Sequence, residues 1–281
     1  MFSIAYRMLG SGADSEDLLQ ETFIRWQEAP LAQIESPKAF LITIVSRLCI
    51  NQLQSARVRR EEYVGQWLPE PMVTSPFPDP SLTPPFDDSL SLAFLVVLER
   101  LNPVERAVFL LREVFDYEYS EIAQILDQKE PACRQVLRRA RQHIAEGQPR
   151  FDPSPEEREK LFKRFLDASA RGDTAGLVAL LSDHVVLYAD GGGKSAAVPL
   201  PIWGPEKVAR FILRAPAKFL PKDLVRRVVG INGQPGVVSY HGGRPFSAFT
   251  VDISDGRIQK IYIVANPEKL SRLPQLPSSI C

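Results

Sequence analysis

The chain has 281 residues, of which 44% are hydrophobic, and its formal net charge at pH 7 is zero. This length predicts about one to three domains, and the lack of any apolar run of about 18 residues excludes a membrane-spanning helix. Three cysteines, Cys49, Cys133 and Cys281, lack metal-ligand spacing and indicate neither a zinc site nor a disulfide framework. No signal peptide is recognisable, so we expect a cytoplasmic protein. We also expect no metal and no cofactor.

Two amphipathic helices are predicted at the start of the chain. The segment FSIAYRMLG reads as a helix that stops at Gly10. A second helix, 15–28, has Asp14 or Ser15 as its cap. Its buried face is expected to hold Leu18, Leu19, Thr22, Phe23 and Trp26, and its acidic outer face Glu16, Asp17, Gln20 and Glu21.

A third helix is predicted from Pro37 to Tyr63. Its buried stripe is expected to hold Phe40, Leu41, Ile44, Val45, Leu48 and Leu53, and its later half to expose Arg47, Asn51, Gln52, Gln54, Ser55, Arg57, Arg59 and Arg60. Residues 36–60 contain five basic and no acidic residues, whereas residues 61–99 contain seven acidic and no basic ones. This asymmetry predicts distinct surfaces and contacts within the chain.

Residues 66–89 are predicted to contain no packed element, because seven prolines remove backbone donors and fix φ. We interpret the segment as a semi-rigid tether. It is nevertheless apolar, with Trp67 and Leu68 near its start. Exposed aromatic rings are costly in water, so the WLPEP stretch, residues 67–71, is expected to dock on another surface.

Residues 120–145 are predicted to form two helices joined by a tight turn, preceded by helices at 90–100 and 103–115. Asp127 tolerates a left-handed turn, and Pro131 suits the first turn of a helix. Val136, Leu137, Ala140 and Ile144 would face a core, which leaves Arg134, Gln135, Arg138, Arg139 and Arg141 outside. This pattern favours a helix for the DNA major groove, and it also fits an ordinary helical hairpin with a solvated basic face.

The last part of the chain predicts an α+β domain. Ser154 is expected to cap a helix, followed by a second helix at 174–182 and a strand at 184–190. A helix at 204–219 and four strands follow, at 224–231, 235–242, 244–254 and 257–266. Helices followed by a curved antiparallel sheet indicate a cone-shaped domain.

Several segments, in this order, resemble the extracytoplasmic-function sigma factors of bacterial RNA polymerase, and more narrowly the group with a SnoaL-like C-terminal extension (SigJ type). Residues 5–26 and 37–63 resemble sigma region 2, and residues 98–141 resemble region 4. Three signatures of the extended group are WLPEP, Asp190–Gly193 and Asn266–Leu270. The resemblance implies two all-α sigma domains and a SnoaL-like α+β cone: region 2 at 1–63, a linker at 64–89, region 4 at 90–147 and the regulatory domain at 148–281.

The resemblance also implies partners, namely core RNA polymerase and promoter DNA, and site residues. The polymerase contact falls on Glu16, Asp17, Gln20 and Glu21. The −10 contacts fall on Arg47, Asn51, Gln52, Arg57, Arg59 and Arg60, and the −35 contacts on Lys129, Arg134, Gln135, Arg138 and Arg139. Of these, Arg57, Arg59 and Arg60 are expected on phosphates, and Arg134, Gln135 and Arg138 on bases.

Two features depart from the family pattern. Asn51 and Gln54 stand where an acidic and a basic residue are usual, which predicts an altered −10 preference or a lost ion pair. The family's first helix usually begins upstream of the position that Met1 occupies here, so we expect either a shortened region 2 or a start codon that lies further upstream.

The cone leaves two other functions open. His184, Tyr188, Asp190 and His241 are candidate pocket residues, and an Asp with a His is able to act as a general base pair. Hydrogen-bonded polar residues of a cone interior are the commoner explanation, so we expect no enzyme. The alternatives are a one-component regulator with a small-molecule ligand in the cone, and a SnoaL-like enzyme fused to a degenerate sigma module.

Control in cis is the final expectation. The acidic linker faces a C-terminal part with 18 basic and 13 acidic residues, 151–281, and opposite charge favours their approach. WLPEP is expected to dock near the Asp190–Lys194 loop and the Asn266–Leu270 segment, with Trp67 and Leu68 supplying most of the affinity. The residues concerned are Trp67, Leu68, Pro69, Glu70, Pro71, Asp190, Gly191, Gly192, Gly193, Lys194, Asn266 and Pro267.

Overall fold

The computed structural model describes residues 1–30, 34–61, 63–76, 90–145, 154–195 and 197–276. The chain separates into two compact units. The first comprises Met1–Glu62 and Phe94–Gln148, and the second comprises Tyr63–Ala93 and Pro149–Cys281. The described part of the linker therefore belongs to the second unit, with the C-terminal domain. No helix in the described ranges is long and apolar enough to cross a bilayer.

The first unit is helical. Its helices are α1 Phe2–Leu9, α2 Gly12–Glu28, α3 Pro37–Glu61, α5 Pro103–Phe109, α6 Tyr119–Leu126 and α7 Glu130–Ala145. Helix α4, Leu92–Leu98, spans the point in the chain where the second unit gives way to the first. A π-helical turn, Leu110–Val114, continues α5. Gly10 ends α1 at φ 65°, and Asp127 ends α6 at φ 53°. Both left-handed stops confirm the turns that the sequence predicts.

The start of α2 differs from the prediction. Ser11 caps the helix: its hydroxyl oxygen accepts the Asp14 backbone N–H at 3.1 Å. The helix therefore begins at Gly12, and the prediction of Asp14 or Ser15 as the cap is wrong. A serine in extended backbone geometry satisfies an unpaired N–H of the first turn, which is why the start moves to this residue.

The buried face of α2 is narrower than predicted. Ser15, Leu18 and Thr22 are buried and Trp26 is half-buried, whereas Phe23 is 59% exposed. The prediction of a buried Phe23 is wrong, because the buried stripe runs beside that position rather than through it. On α3 the stripe also shifts: Ile42, Val45, Ser46, Cys49 and Leu53 are buried, and Phe40, Leu41, Ile44 and Leu48 are half-buried.

Two arginines join α1 to the segment that precedes the helix-turn-helix within this unit. The Arg106 guanidinium, only 2% exposed, donates to the Met8 carbonyl at 2.6 Å and to Glu99 at 2.8 Å. Met8 lies at the end of α1, where exposed carbonyls favour a cation. The side chain of Arg7 in turn lies over the Phe115 ring, 5.4 Å from its centroid. Regions distant in sequence thus form one packed body.

The second unit is an α+β cone. Its elements are β1 Val73–Pro76, α8 Pro155–Ala170, α9 Thr174–Leu180, β2 Leu181–Asp190, β3 Ile202–Trp203, α10 Pro205–Phe219, β4 Val225–Ile231, β5 Gln234–His241, β6 Arg244–Ser254, β7 Arg257–Val264 and α11 Pro267–Leu270. The strands form one sheet in the order β1-β4-β5-β6-β7-β2-β3. It is mixed rather than purely antiparallel, because β2 and β7 are parallel.

The linker contributes a strand to this sheet. β1 pairs antiparallel with β4, with Val73 opposite Ile231. The prediction that 66–89 contains no packed element is therefore wrong for 73–76. The proline that ends β1, Pro76, is compatible with its position because β1 is an edge strand. Residues 77–89 lie outside the described part.

The core of the cone lies between its helices and one face of the sheet. Phe162 and Phe165 of α8 stack on Phe249 of β6, with ring centroids 6.2 Å and 5.7 Å apart. Leu177, Val185, Val208 and Ile261 are fully buried in the same cluster. Apolar side chains of the helices and the sheet thus form one packed cluster in the described part of the cone.

Candidate functional site

The second helix of the helix-turn-helix presents the basic face that the sequence predicts. On its inner side Cys133, Val136, Leu137, Ala140 and Ile144 are buried. On the outer side Lys129, just before the helix, and Arg134, Gln135, Arg138, Arg139 and Arg141 are exposed. Four exposed arginines on one face of a helix suit the phosphates and base edges of DNA.

The arginines of α7 differ in their partners. Arg134 pairs with Glu130 at 3.0 Å, and Arg141 pairs with Glu113 at 2.7 Å. Arg138 and Arg139 have no hydrogen-bond or ion-pair partner within the described residues. An open hollow of about 320 Å³ lies on this face, lined by Tyr119, Arg134, Leu137, Arg138, Arg141 and Gln142. On this face, Arg134 and Arg141 are thus paired with carboxylates, whereas Arg138 and Arg139 have no such partner among the described residues.

Helix α3 carries the candidate −10 residues. The Arg47 guanidinium donates to the carbonyls of Ile125 at 2.9 Å and Gln124 at 3.4 Å, at the C-terminal end of α6. Asn51 is exposed, and Gln52 is half-buried. The side chains of Arg57, Arg59 and Arg60 lie outside the described part. Although Arg47 is exposed, its guanidinium is thus hydrogen-bonded to the helix-turn-helix.

The acidic face of α2 is exposed as predicted. Glu16, Asp17, Gln20 and Glu21 all lie on the surface, and Glu21 pairs with Arg25 at 2.9 Å. Phe23 and Ile24, 59% and 50% exposed, adjoin this face. Sequence reasoning missed this apolar part because it placed Phe23 in the core. Two consecutive apolar residues on an amphipathic helix could have signalled that both cannot face the same side.

The linker docks on the cone through one buried carboxylate. Asp190, 0% exposed, accepts the Tyr63 hydroxyl at 2.5 Å, the Leu68 backbone N–H at 2.9 Å and the Lys269 ammonium at 2.7 Å. Asn266 donates to the Tyr63 oxygen at 2.9 Å. We call these five residues the linker latch. Burial of a charge is tolerated here because it is both paired and hydrogen-bonded.

Lys269 completes the latch from the other side. Its ammonium donates to the Leu68 carbonyl at 2.5 Å, so both backbone groups of Leu68 are bound. The same ammonium lies 4.2 Å from the centroid of the Trp67 ring and 5.0 Å from that of Tyr63. A buried ammonium thus has an anion, a carbonyl and two aromatic rings as neighbours.

The Tyr63 hydroxyl stays protonated in the latch. Burial, followed by the hydrogen bond and charge of Asp190, raises the pKa of the Tyr63 phenol above its ordinary value. Because the pKa of the phenol is higher in the folded than in the unfolded chain, the contact contributes its full stability at pH values below the unfolded-state pKa. That contribution is lost as the pH rises through the folded-state pKa. The phenol is therefore a hydrogen-bond donor to Asp190 throughout the neutral range.

The glycine loop after β2 is shaped by close packing. A Cβ on Gly191 would lie 2.7 Å from the Ser195 carbonyl oxygen, and one on Gly192 would lie 2.4 Å from the Asn266 amide nitrogen. Lys194 pairs with Glu268 across the same region. Asn266 caps α11 by accepting the Glu268 N–H at 3.1 Å, with Pro267 as the first helical residue. The loop therefore fits against α11.

The Asp–His pair that the sequence offers as pocket chemistry does not form. His184 is exposed, and His241 pairs at 3.1 Å with Asp223, an exposed residue. Asp190 is already engaged in the latch. Tyr188 stacks on Tyr262 with ring centroids 5.7 Å apart. These side chains do not converge on one catalytic point.

A second linker contact was missed by sequence reasoning. Asn232, in the turn between β4 and β5, accepts the Met72 N–H at 2.9 Å with its side-chain oxygen and donates to the Leu90 carbonyl at 3.0 Å. Its own N–H donates to the Met72 carbonyl at 2.8 Å. The Asn-Gly dipeptide signals a hairpin turn, and nothing in that signal reveals a binding role.

Two family models match the helical unit. The model described as Sigma-70 region 2 matches residues 1–59, and that described as Sigma-70, region 4 matches residues 91–144. The two matches fall on α1–α3 and on the helix-turn-helix. They therefore support the assignment of both helical parts that the sequence resemblance predicts.

Relatives match nearly the whole chain. The ECF RNA polymerase sigma factor SigJ of Mycobacterium tuberculosis is 36% identical, covering 98% of this chain and 91% of its own length. The probable ECF RNA polymerase sigma factor SigI of the same species is 31% identical, covering 97% and 92%. The crystal structure of Mycobacterium tuberculosis SigJ matches with a TM-score of 0.79 at 32% identity, covering 98% of this chain and 96% of that one. The predicted fold, two sigma regions followed by an α+β domain, is confirmed.

Proposed function

The chain belongs to the extracytoplasmic-function sigma factors of RNA polymerase, and we propose how its surfaces divide the work of that activity. As a sigma factor it binds core RNA polymerase and promoter DNA and directs promoter-specific initiation of transcription. The observation that carries the division is the contrast between the acidic, partly apolar face of α2 and the arginine face of α7. We expect it to act in the cytoplasm, where polymerase and chromosome are.

The face of α2 is the proposed polymerase contact. Asp17 and Gln20 are exposed and have no partner within the described residues, so their polar groups are available to a basic protein surface. Phe23 and Ile24 add the apolar area that gives a protein interface most of its affinity. Charge then steers the encounter and fixes the orientation of the two proteins.

Charge reversal on α2 tests this contact. The double variant Asp17→Arg, Glu21→Arg is expected to lose co-elution with core polymerase while its circular dichroism spectrum stays unchanged, because both side chains are exposed. The matched control reverses Asp167 of α8 and Glu206 of α10, two exposed acids of the cone, and should still co-elute. Retained co-elution of the α2 variant would show that another surface binds polymerase.

The DNA contacts are proposed on α3 and α7. Lys129, Arg134, Gln135, Arg138 and Arg139 contact the −35 element, and Arg47, Asn51, Gln52, Arg57, Arg59 and Arg60 contact the −10 region. The arginines that lack a carboxylate partner are suited to binding phosphates. The residues near the N-terminus of the recognition helix are suited to contacting base edges. For Arg47 to reach DNA it must leave the carbonyls of α6, so −10 binding requires that contact to open.

The linker latch is the proposed regulatory element in cis. The docked stretch lies at the start of the linker to region 4 and consists of Trp67, Leu68, Pro69, Glu70 and Pro71. When the cone holds this stretch, fewer linker residues are free to change conformation. The cone side of the contact comprises Lys269 together with Asp190, Gly191, Gly192, Gly193, Lys194, Asn266 and Pro267. Because Asp190 serves the latch and apolar side chains fill the core of the cone, we propose no catalytic role for this domain.

Transcription by two release variants tests the regulatory role. Trp67→Ala removes the ring over Lys269, and truncation after about residue 150 removes the cone. Both should change run-off transcription in the same direction, because both free the linker. The matched control, Trp67→Phe, keeps a ring at that position and should stay near the parent level. Parent-like transcription by Trp67→Ala would contradict the role of the latch.

A further inference from the structure

Tyr119 brings together two arginines at the edge of the α7 face. The guanidinium carbon of Arg134 lies 4.7 Å from the centroid of the Tyr119 ring, and that of Arg112 lies 5.3 Å from it. Arg112 is itself held, since it donates to the Tyr117 carbonyl at 2.9 Å and to Glu118 at 3.1 Å. The ring is therefore part of a small ordered cluster at the start of α6.

Arg134 is restrained from two sides although it remains 54% exposed. Its guanidinium pairs with Glu130 one helical turn earlier, at 3.0 Å, and contacts the Tyr119 ring. Arg139 provides the comparison on the same helix, because it is exposed without a partner among the described residues. The two arginines thus meet DNA in different states: one is oriented beforehand and one is free.

The two states suit different targets. Recognition of a base edge by arginine needs the planar fork at a fixed place, and a free arginine loses rotamer entropy when it is fixed there. A phosphate contact tolerates a mobile cation. The Glu130 carboxylate also repels a phosphate that approaches Arg134, whereas guanine offers acceptors without a net charge. Position on the helix agrees, because the N-terminal part of a recognition helix faces the bases.

We propose that Tyr119 is a positioning residue that, together with Glu130, holds Arg134 ready to read a base of the −35 element. The inference rests on the proposed function, in which α7 lies in the major groove. Arg139, lacking such restraint, contacts phosphate and adds affinity without sequence preference. Tyr119 itself touches no base and acts through Arg134.

The test measures base preference, which a purely structural role would not alter. Holoenzyme assembled from the full chain and core polymerase selects sequences from duplex DNA randomised upstream of the start site. Arg134→Ala should lower discrimination at one base pair by about 5- to 150-fold. Tyr119→Leu should lower it at the same base pair by about 2- to 5-fold, and Tyr119→Phe should preserve it because the ring remains. Arg139→Ala should weaken all sequences alike.

Combined variants give the sharper result. In the Arg134→Ala background, Tyr119→Leu is expected to have no further effect on base preference, because its influence passes through Arg134. Glu130→Gln, a conservative change at a half-buried residue, should weaken the same base preference even if Tyr119→Leu proves unstable. Loss at a different base pair, or an additive effect in the double variant, would overturn the role of Tyr119.

The outcomes also separate this inference from the function on which it rests. If Tyr119→Leu keeps the parent preference while Arg134→Ala loses it, α7 still reads the promoter and only the positioning role is overturned. If Arg134→Ala keeps the preference, both the reader and its positioning residue are wrong. If the parent holoenzyme selects no sequence at all, the proposed DNA contact of α7 fails with them.

Discussion

At the scale of single residues, Asp190 is the position on which the latch depends. It binds Tyr63, Leu68 and Lys269 at once, and both members of the Asp190–Lys269 pair are buried. Asp190→Asn would leave a buried ammonium without its anion. We predict a loss of about 3–5 kcal/mol in the free energy of unfolding of the second unit, measured by urea denaturation.

A matched control lies on the same strand. Asp183→Asn makes the same chemical change in β2, at a carboxylate that is 84% exposed and pairs with Arg257 at the surface. Its unfolding midpoint should stay close to that of the parent, because surface ion pairs contribute little. Equal effects of Asp183→Asn and Asp190→Asn would mean that the buried pair contributes nothing special.

The latch adds to the physical reasons given for docking. Sequence charge predicted attraction between an acidic linker and a basic C-terminal part. Both members of the buried ion pair, Asp190 and Lys269, belong instead to the cone, and the linker supplies the backbone groups of Leu68 and the rings of Tyr63 and Trp67. The net charges of the two segments therefore predicted that the linker and the cone meet, but they did not identify the atoms in contact.

At the scale of elements, the Asn232 turn holds the linker beside β1. Asn232 and Asp255 both occupy left-handed turn positions, at φ 52° and 53°, and both precede glycine. Alanine strains either turn alike, but only Asn232→Ala also removes the hydrogen bonds to Met72 and Leu90. We predict faster amide hydrogen exchange at 68–74 in Asn232→Ala than in Asp255→Ala. Equal exchange would contradict a linker-holding role for this turn.

The contact between α1 and α5 is the corresponding element in the helical unit. Arg106→Met removes two hydrogen bonds of a buried guanidinium, one to the Met8 carbonyl and one to the Glu99 carboxylate. We predict a loss of about 1.5–3 kcal/mol in the unfolding free energy of this unit. Arg100→Met, an exposed arginine in the preceding turn, is the control and should unfold like the parent. An unchanged midpoint for Arg106→Met would mean that the buried arginine does not join these helices.

Elements with strong local signals could be predicted from the sequence, and those set by distant partners could not. The turn at Asp127 and the arginine face of α7 follow from local backbone preference and helical spacing. Strand β1 does not, because its partner Ile231 is more than a hundred residues away and prolines obscure the strand pattern. The exposure of Phe23 also escapes the pattern, since helical periodicity alone does not fix how wide a buried stripe is.

At the scale of the whole molecule, the family relationship accounts for activity, and the structure indicates how two units carry it. The helical unit contains both proposed DNA-reading helices, and the second unit holds the linker between them. If the latch regulates the activity, as proposed, variants of the second unit should alter transcription without changing any proposed DNA contact. The latch residues Tyr63, Asp190 and Lys269 are far apart in the sequence, so only the structure shows that they meet.

Run-off transcription with purified core polymerase tests the central claim most directly. The template is the DNA upstream of the chain's own gene, and the chain is added as the parent, as Asp17→Arg with Glu21→Arg, or not at all. The account predicts a discrete transcript only with the parent, and its loss when the α2 face is reversed. A transcript of equal yield with the reversed variant, or one that forms without the chain, would contradict it.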